Sequence, residues 1–537
     1  MKKILLVTSE FKAPGWDVKN LPVVQKKSLV TPLNLATIAA LTPEDIEVDL
    51  WDEAVHGWID DATEFDKEFD LVGITSHALI LQRVKEIAQV FRRRGIPVAI
   101  GGIDVSSSSR FFRNDADILF FGEAELTWPQ FIADWKAGSY RKEYREFTFP
   151  DLALSPLPRW DSIADDIPSY LAGTVQTSRG CPFACDYCQI SFLYGRQTRY
   201  KPIDKVLEEV ATLERLGMNS ILFCDSNFIG NPGYAKDLLR ELIPQNNSFA
   251  EPLRFQTDLT INVAKDDELL ELLADANFNM LLIGIESPNK ESLREINKLQ
   301  NVRSDLVADC KKIMSYGIPI EASMIVGFDH DTPEIFGQQF EFHQESHMPS
   351  TKINILKALQ GTRLQSRLIK DGRFLNVDKG LYDENGFFSK DTRGATNIIP
   401  KGMTRAKLFS DYLNLAERLY DWDIFASHVK EFVSNVKRQP NVPQKSGPQQ
   451  DLSPALTSFI LSMDEKAKST IFNIALHTRQ TAPFMMRKVI ALISRQYLEA
   501  INLPLLREAI LKQIEFEESV DIEQFIEKSE DRWEEKN

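Results

Sequence analysis

The sequence predicts an α/β chain in three parts joined by a strap. These are an N-terminal doubly wound domain (residues 1–145), a linker (146–172), a central partial (β/α)6 barrel (173–372) and a C-terminal, mainly helical region (373–537). Three observations carry this reading. Short β-rich runs alternate with helical patterns twice, on either side of a proline-bearing stretch. Three of the five cysteines fall just after the first strand of the second alternation. Beyond residue 372 the strand signals fade and long helical patterns replace them.

The first alternation places strands at Lys3 to Thr8, Ile46 to Trp51, Asp70 to Thr75, Pro97 to Ile100 and Asp117 to Phe121, with helices near 33–42, 79–94 and 124–137. A parallel sheet of this kind binds ligands beyond its C-terminal strand ends. There the sequence has Thr75, Ser76 and His77, then Gly101 and Gly102, then Gly122 and Glu123. No Gly-x-Gly-x-x-Gly follows the first strand, which argues against a nicotinamide-binding domain.

The linker "FPDLALSPLPRWDSIADDIPSY" carries four prolines and little periodicity. After it come strand candidates near 174–178, 220–224, 253–259, 279–285, 319–326 and 351–357, with amphipathic helices between them. In 204–217, Val206, Val210 and Leu213, with Leu207 and Leu216 nearby, share a face, and Asp204 is a candidate N-cap. Six such units make most of a barrel whose chemistry belongs at the C-terminal rim. Helical patterns then run over 403–436, 453–477, 484–500, 504–516 and 521–532.

Composition bounds the function. At 537 residues the chain suits two or three domains, and its 43% hydrophobic and 26% charged residues are ordinary for a globular protein. A net charge of −15 gives no electrostatic reason to expect a nucleic-acid partner. The run Ile4 to Val7 is too short for a signal-peptide core, and no window approaches 18 uninterrupted apolar residues, so the expected location is the cytoplasm without a transmembrane segment. The segment "FMMRKVIALISRQYL" (484–498) mixes apolar and basic residues, a pattern of helix-packing core or of contact with a membrane surface.

Cys181, Cys185 and Cys188, spaced C-x3-C-x2-C, carry the chemistry. Structural zinc needs four protein ligands, and Cys224 and Cys310 lie in other β/α units. A redox pair of Cys185 and Cys188 leaves Cys181 without a use. Three thiolates suit a [4Fe–4S] cluster whose fourth iron is open. Cys224 and Cys310 read as packing residues.

This loop, with Tyr187 as the aromatic in C-x3-C-x-aromatic-C, resembles the radical S-adenosylmethionine (SAM) superfamily. The resemblance implies that Cys181, Cys185 and Cys188 hold the cluster, that SAM chelates the open iron, and that an electron donor such as flavodoxin or ferredoxin drives SAM cleavage. It makes Asp225 and Ser226, with Asn227 nearby, candidates for the SAM amino group. It likewise makes Glu286 and Ser287 candidates for the ribose, and the backbone of Val326 and Gly327 for adenine. The segments "LVTPLNLATIAAL", "LVGITS", "AIGGID" and "ADILFFGEAELTWPQFI" resemble the cobalamin-binding domain of one branch of that superfamily. That implies cobalamin contacts from Thr75, Ser76, His77, Gly101, Gly102, Gly122 and Glu123. "DEAVHG" lacks the Asp two residues before His56 that would make it a lower cobalt ligand, and Gly-Gly-Ile stands for the usual Gly-Gly-Pro, which reshapes loop 103–109.

The longer stretches "CDYCQISFLYGRQTRYKP", "DSNFIGN", "IGIESPNKESL", "IVGFDHDTPEIF" and "LKALQGTRLQSRL" resemble the hopanoid C-2 methylase subgroup over roughly residues 1–480. The implied reaction is C-methylation, through cobalamin, of an unactivated carbon of a small molecule, lipid-like or another natural product. The barrel mouth is then expected to be capped by the N-terminal domain and the C-terminal helices. Ring closure or rearrangement without methyl transfer is the alternative, and a non-catalytic cluster or cobalamin carrier the second.

Overall fold

A computed structural model describes residues 1–10, 26–77, 80–107, 111–376, 394–443, 460–461 and 463–527, and fifteen strands organise these described residues. They are β1 (Lys2–Thr8), β2 (Ser28–Val30), β3 (Ile46–Asp52), β4 (Leu71–Ser76), β5 (Val98–Gly102), β6 (Ile118–Phe121), β7 (Glu143–Arg145), β8 (Tyr170–Val175), β9 (Ser178–Arg179), β10 (Arg199–Tyr200), β11 (Ser220–Phe223), β12 (Arg254–Leu259), β13 (Phe278–Glu286), β14 (Ile320–Val326) and β15 (Ser350–Ile355).

The first sheet runs β3-β1-β4-β5-β6-β7, all parallel. Leu5 and Val7 of β1 join a core with the helix Leu81–Arg93, while Ile4 and Leu6 join one with Trp128, Phe131 and Trp135 of the helix Ala124–Lys136. Burial on both faces is why this strand reads as an unbroken apolar run. The expected strands are present, and the short edge strand β7 is additional.

The second sheet runs β15-β14-β13-β12-β11-β8-β2, also parallel. Its helix-facing surface is packed, with Phe223, Phe255 and Phe278 stacked at 5.3 to 6.0 Å between ring centres. The helix Ile203–Arg215 buries Val206, Val210 and Leu213 as the periodicity predicts. Pro202, not Asp204, precedes it, so Asp204 falls in the first turn, where a carboxylate still suits the helix dipole. Residues 28–30, expected in the first domain, instead pair with β8, and the Thr31 and Thr174 hydroxyls meet at 2.9 Å. The N-terminal region therefore lends an edge strand to the barrel.

The C-terminal helices depart from expectation in detail. The span 403–436 is two helices, Arg405–Leu419 and Trp422–Ser434, because the Asp421 carboxylate caps the second by accepting from the Asp423 and Ile424 amides. The spans 484–500 and 504–516 are one helix, Met486–Ser519, which continues through Pro504. The helix predicted over 453–477 appears as Glu465–Thr481, its residues 453–459 and 462 lying outside the described ones. Of 521–532, residues 522–525 form a 3-10 turn and 528–532 lie outside.

The placement of the long helix is a correction. Lys488 Nζ donates to the carbonyls of Phe278 (2.8 Å) and Gly317 (2.7 Å), and Arg495 reaches Gln256 and Glu321. All four partners lie before their strands or in the first half of them, so this helix closes the barrel floor, not its mouth. Among the described residues it is also the one helix, counted from Pro483, long and apolar enough to suit a membrane crossing. Its Val489, Leu492 and Ile493 are buried against the protein.

Candidate active site

The cysteine loop leaves β9 and is fastened at many points before returning through β10. Gly180 precedes Cys181 at φ +93°, and a Cβ there would lie 2.8 Å from the Gln197 carbonyl, so only glycine fits. The Cys181 amide donates to the Gly195 carbonyl and the Cys188 amide to that of Cys185. Asp186 accepts from Leu364 and donates to Ile296 through its backbone, and the Asn297 side chain donates to the Ala184 carbonyl.

The three thiols are close enough to repel one another as anions, and burial pushes each thiol upward. The Lys298 ammonium opposes that shift at all three. Among the described residues, no three His, Cys, Asp or Glu side chains converge as one ion requires. The donor set therefore fits a cluster, which takes one thiolate per iron, better than a single zinc ion. Desolvated thiols resist ionising alone, and a cationic centre among them removes that resistance.

Most of the strand-end residues hold this loop. Asp225 is 2% exposed, and its carboxylate accepts from the Thr177 amide (2.8 Å), the Ser178 amide (2.7 Å) and the Thr177 hydroxyl (2.6 Å). Burial pushes it up to about 6 against those bonds. Its oxygens are thus used in fixing the start of the loop. Asn227, in contrast, is buried beside Cys181 with a carboxamide oxygen that has no hydrogen-bond partner among the described residues. Ser226 remains partly exposed.

Glu286 sits at φ +66° and accepts from the Tyr187 hydroxyl (2.8 Å) and from Lys298. The Gln339 amide nitrogen holds the Glu286 and Ile325 carbonyls, and Asn301 holds those of Gly284 and Ile285. A left-handed non-glycine residue persists only when surrounding contacts over-determine it, as they do here. Ser287 is buried and its hydroxyl accepts from the Asn289 amide. At the end of β14, the Val326 carbonyl accepts from Leu356 and the Gly327 amide donates to Asp331, so little backbone polarity is left over. Lys298, Asn301 and Gln339 were not legible in advance, since Lys298 only precedes the short helix Leu299–Val302 that holds Asn301, Gln339 lies in the helix Ile335–Ser346, and none belongs to a motif.

On the N-terminal side, a cavity of about 450 Å³ lies between the ends of β4 to β6 and those of β8 and β11. Thr75, Gly101, Gly102, Gly122 and Glu123 line it; so do Thr31, Asn34, Gln176, Arg179, Lys201 and Cys224. Gly102 and Gly122 have positive φ, and a Cβ would strike the Ser76 carbonyl at 2.4 Å and the Glu146 carbonyl at 1.9 Å. Their smallness is demanded by their own neighbours. Gly101 is different: its Cβ would meet only Phe120, at 3.4 Å, so the missing side chain is space for a guest.

Ser76 donates to the buried Asp104 and does not line the cavity. Nor does His77, which burial pushes down to about 4. The helix Ile103–Ser107 follows Gly102; residues 108 and 109 of the expected reshaped loop lie outside the described ones. Glu123 takes an unexpected part: it accepts from Arg179 (2.6 Å) and from Arg199, while Arg179 also reaches Glu125 (2.7 Å). These arginines flank the cysteine loop, so the first sheet clamps it. Cys224 lines the cavity, where burial pushes its thiol up to about 12, and Cys310 is packed in its helix.

Comparison with known proteins agrees with this geometry. A model of the radical SAM superfamily matches residues 175–342, and a domain of unknown function matches 362–494. An uncharacterized methyltransferase of Synechocystis is 34% identical over 425 residues, 78% of this chain and 76% of that protein. The hopanoid C-2 methylase of Rhodopseudomonas palustris is 32% identical over 65% of this chain and 66% of its own length. The fold is also that of the radical SAM methyltransferase TsrM of Kitasatospora setae, solved with cobalamin and a [4Fe–4S] cluster, with a TM-score of 0.59, 15% identity and coverage of 93% of this chain and 100% of that one. With its cysteine loop, its partial barrel and a relative matched over three quarters of both chains, the protein belongs to the radical SAM superfamily, in the family that holds the Synechocystis methyltransferase.

Proposed function

We propose that this enzyme is a cobalamin-dependent C-methyltransferase that moves a methyl group from SAM to an unactivated carbon of a small, largely apolar molecule. The observation that carries the reading is the shared wall. The clamp residues Glu123 and Arg179 line the cavity while Arg179 leads into the cysteine loop, so one ion-pair cluster joins the two places where cofactors would sit.

When bound, the cluster supplies the electron that cleaves SAM, and cobalamin supplies a carrier for the methyl group. The chain's own residues orient and enclose. Cys181, Cys185 and Cys188 would ligate iron, with Lys298 offsetting their charge. The orphaned Asn227 oxygen, with Ser226 beside it, suits an incoming ammonium such as that of SAM. Asp225, Glu286 and Tyr187 hold the loop in register. Gly101 and the apolar wall of Leu6, Leu35, Phe120 and Trp128 suit a broad ring system that excludes water. A cytoplasmic setting with flavodoxin or ferredoxin as donor fits the reducing chemistry.

Anaerobic purification followed by metal analysis tests the cofactors, and incubation with methyl-labelled SAM tests the reaction. Iron and cobalt together, with label in the product, are expected. Label absent from a product formed with SAM cleavage would point to ring closure or rearrangement, and zinc in place of iron would overturn the reading.

A further inference from the structure

One charged group in the barrel has no place in the scheme so far. Asp258 lies in β12, whose residues Phe255, Thr257 and Leu259 are buried against the helix layer. Alternation along the strand sends Gln256 and Asp258 to the opposite, concave face. Asp258 is exposed although its strand is central in the sheet, and the protein around it nonetheless disfavours its charge. Its carboxylate is thus reachable from a recess of the concave face while ringed by protein.

The neighbours define that space. Register places Asp258 beside Leu282 of β13, and the β11–β12 pairing of Phe223 with Thr257 places Cys224, on the cavity wall, on its other side. In the same row, one strand beyond Leu282, Glu321 is ion-paired with Arg495 and Lys352 and accepts from the Ser350 hydroxyl. The Asp258 carboxylate accepts no hydrogen bond and joins no ion pair among the described residues. Burial, together with repulsion from Glu321 and Asp225, pushes it up to about 7 against the attraction of Lys352. An unpaired carboxylate beside two others is an expensive arrangement unless a guest completes it.

We propose that Asp258 is a substrate-contacting residue, and that the molecule bound on the concave face presents a hydrogen-bond donor, a protonated amine or a hydroxyl, from an otherwise apolar body. The inference deepens the methyltransferase reading and rests on it for the word substrate. Leu282, half-buried beside it, and Ile325, half-buried farther along β14, supply apolar surface. A single donor–acceptor pair in such a wall fixes which edge of the guest faces the rim, where the cysteines lie.

The test uses three probes with one compact hydrocarbon body, 1-adamantylammonium, 1-adamantanol and adamantane-1-carboxylate, titrated calorimetrically into the full-length protein. The ammonium and the alcohol are expected to bind, and the carboxylate at least about tenfold more weakly. Asp258→Asn is expected to weaken the ammonium about tenfold and spare the alcohol, whereas Asp258→Leu weakens both. Which of the two donors binds better to the wild type identifies the group. Equal binding of carboxylate and ammonium, ammonium binding unchanged in Asp258→Asn, or no binding by any probe would overturn the inference. The melting temperature shows that each variant is folded. Iron content and SAM cleavage of the wild type report separately on the methyltransferase reading, so either can fail without the other.

Discussion

The two strand-end rims of this molecule look alike in sequence and differ in use. At the barrel rim, polar residues after β11 and β13 turn inward on the chain itself: Asp225 holds Thr177 and Ser178, and Glu286 holds Tyr187. At the rim of the first sheet, Gly101 and Thr75 line open space. Glu123 belongs to the second rim by position and to the first by use, since it clamps Arg179 and Arg199. A polar residue at a strand end is therefore a site candidate by position, while its partners decide whether it touches a ligand or holds what does.

The sharpest way to break this comparison is at Asp225. Asp225→Ala removes the acceptor of three buried hydrogen bonds, each to a charged group and so worth about 1.5–3 kcal/mol. The expected result is loss of most cluster iron after anaerobic reconstitution and a stability loss of at least about 3 kcal/mol in denaturant unfolding. Asp225→Asn keeps an acceptor and should fall between. Iron retained at the wild-type level in the alanine variant would mean that the loop does not depend on this anchor.

Glu123→Gln comes next. It leaves two buried guanidinium groups facing a neutral amide, with only Glu125 still paired to Arg179. Removing one partner of a buried pair costs more than the pair contributes, so a loss of about 2–4 kcal/mol is expected. Hydrogen exchange should quicken in residues 178–200 more than in the β1 core; uniform change across both would place Glu123 with ordinary core polarity.

The fold was largely legible because its signals are periodic. Ile4 to Val7, or Val206, Val210 and Leu213, declare a buried strand and a helix face by spacing alone. The cysteines declared themselves by spacing too. What pattern could not give was pairing across distance. Residues 28–30 form a strand only because β8 offers an edge, Lys298 matters because the start of a short helix brings it to Tyr187 and Glu286, and Arg495 reaches the barrel 174 residues from Glu321. Gly102 and Gly122 were legible as candidate cobalamin contacts, but what requires glycine there is the Ser76 and Glu146 carbonyls, which no local pattern reveals.

The floor offers a contrast with both rims, because there the buried Lys488 meets only carbonyls among the described residues. Burial pushes Lys488 down to about 7, from a usual value near 10.5. Between those values the unfolded chain holds the proton and the folded chain has shed it. Stability should therefore rise with pH from about 7 towards 10. The check is the pH slope of chemical unfolding in wild type and Lys488→Met. The slope attributable to this group should vanish in the variant, and an unchanged slope would show that another group sets it.

The smallest structural effect belongs to the open rim. Gly101→Leu adds a side chain where a Cβ meets only Phe120 at an ordinary distance, and its φ is not in the left-handed region that forbids one. Stability should change by less than about 1 kcal/mol, the range of substitutions that break no contact. The visible absorption of bound cobalamin should nevertheless be lost, because the added chain fills space the guest needs. A variant equally stable and equally coloured would remove Gly101 from the cradle and leave the two rims alike after all. A variant that is stable and colourless would separate them: one rim built to hold the chain's own loop, the other built to stay empty until something enters.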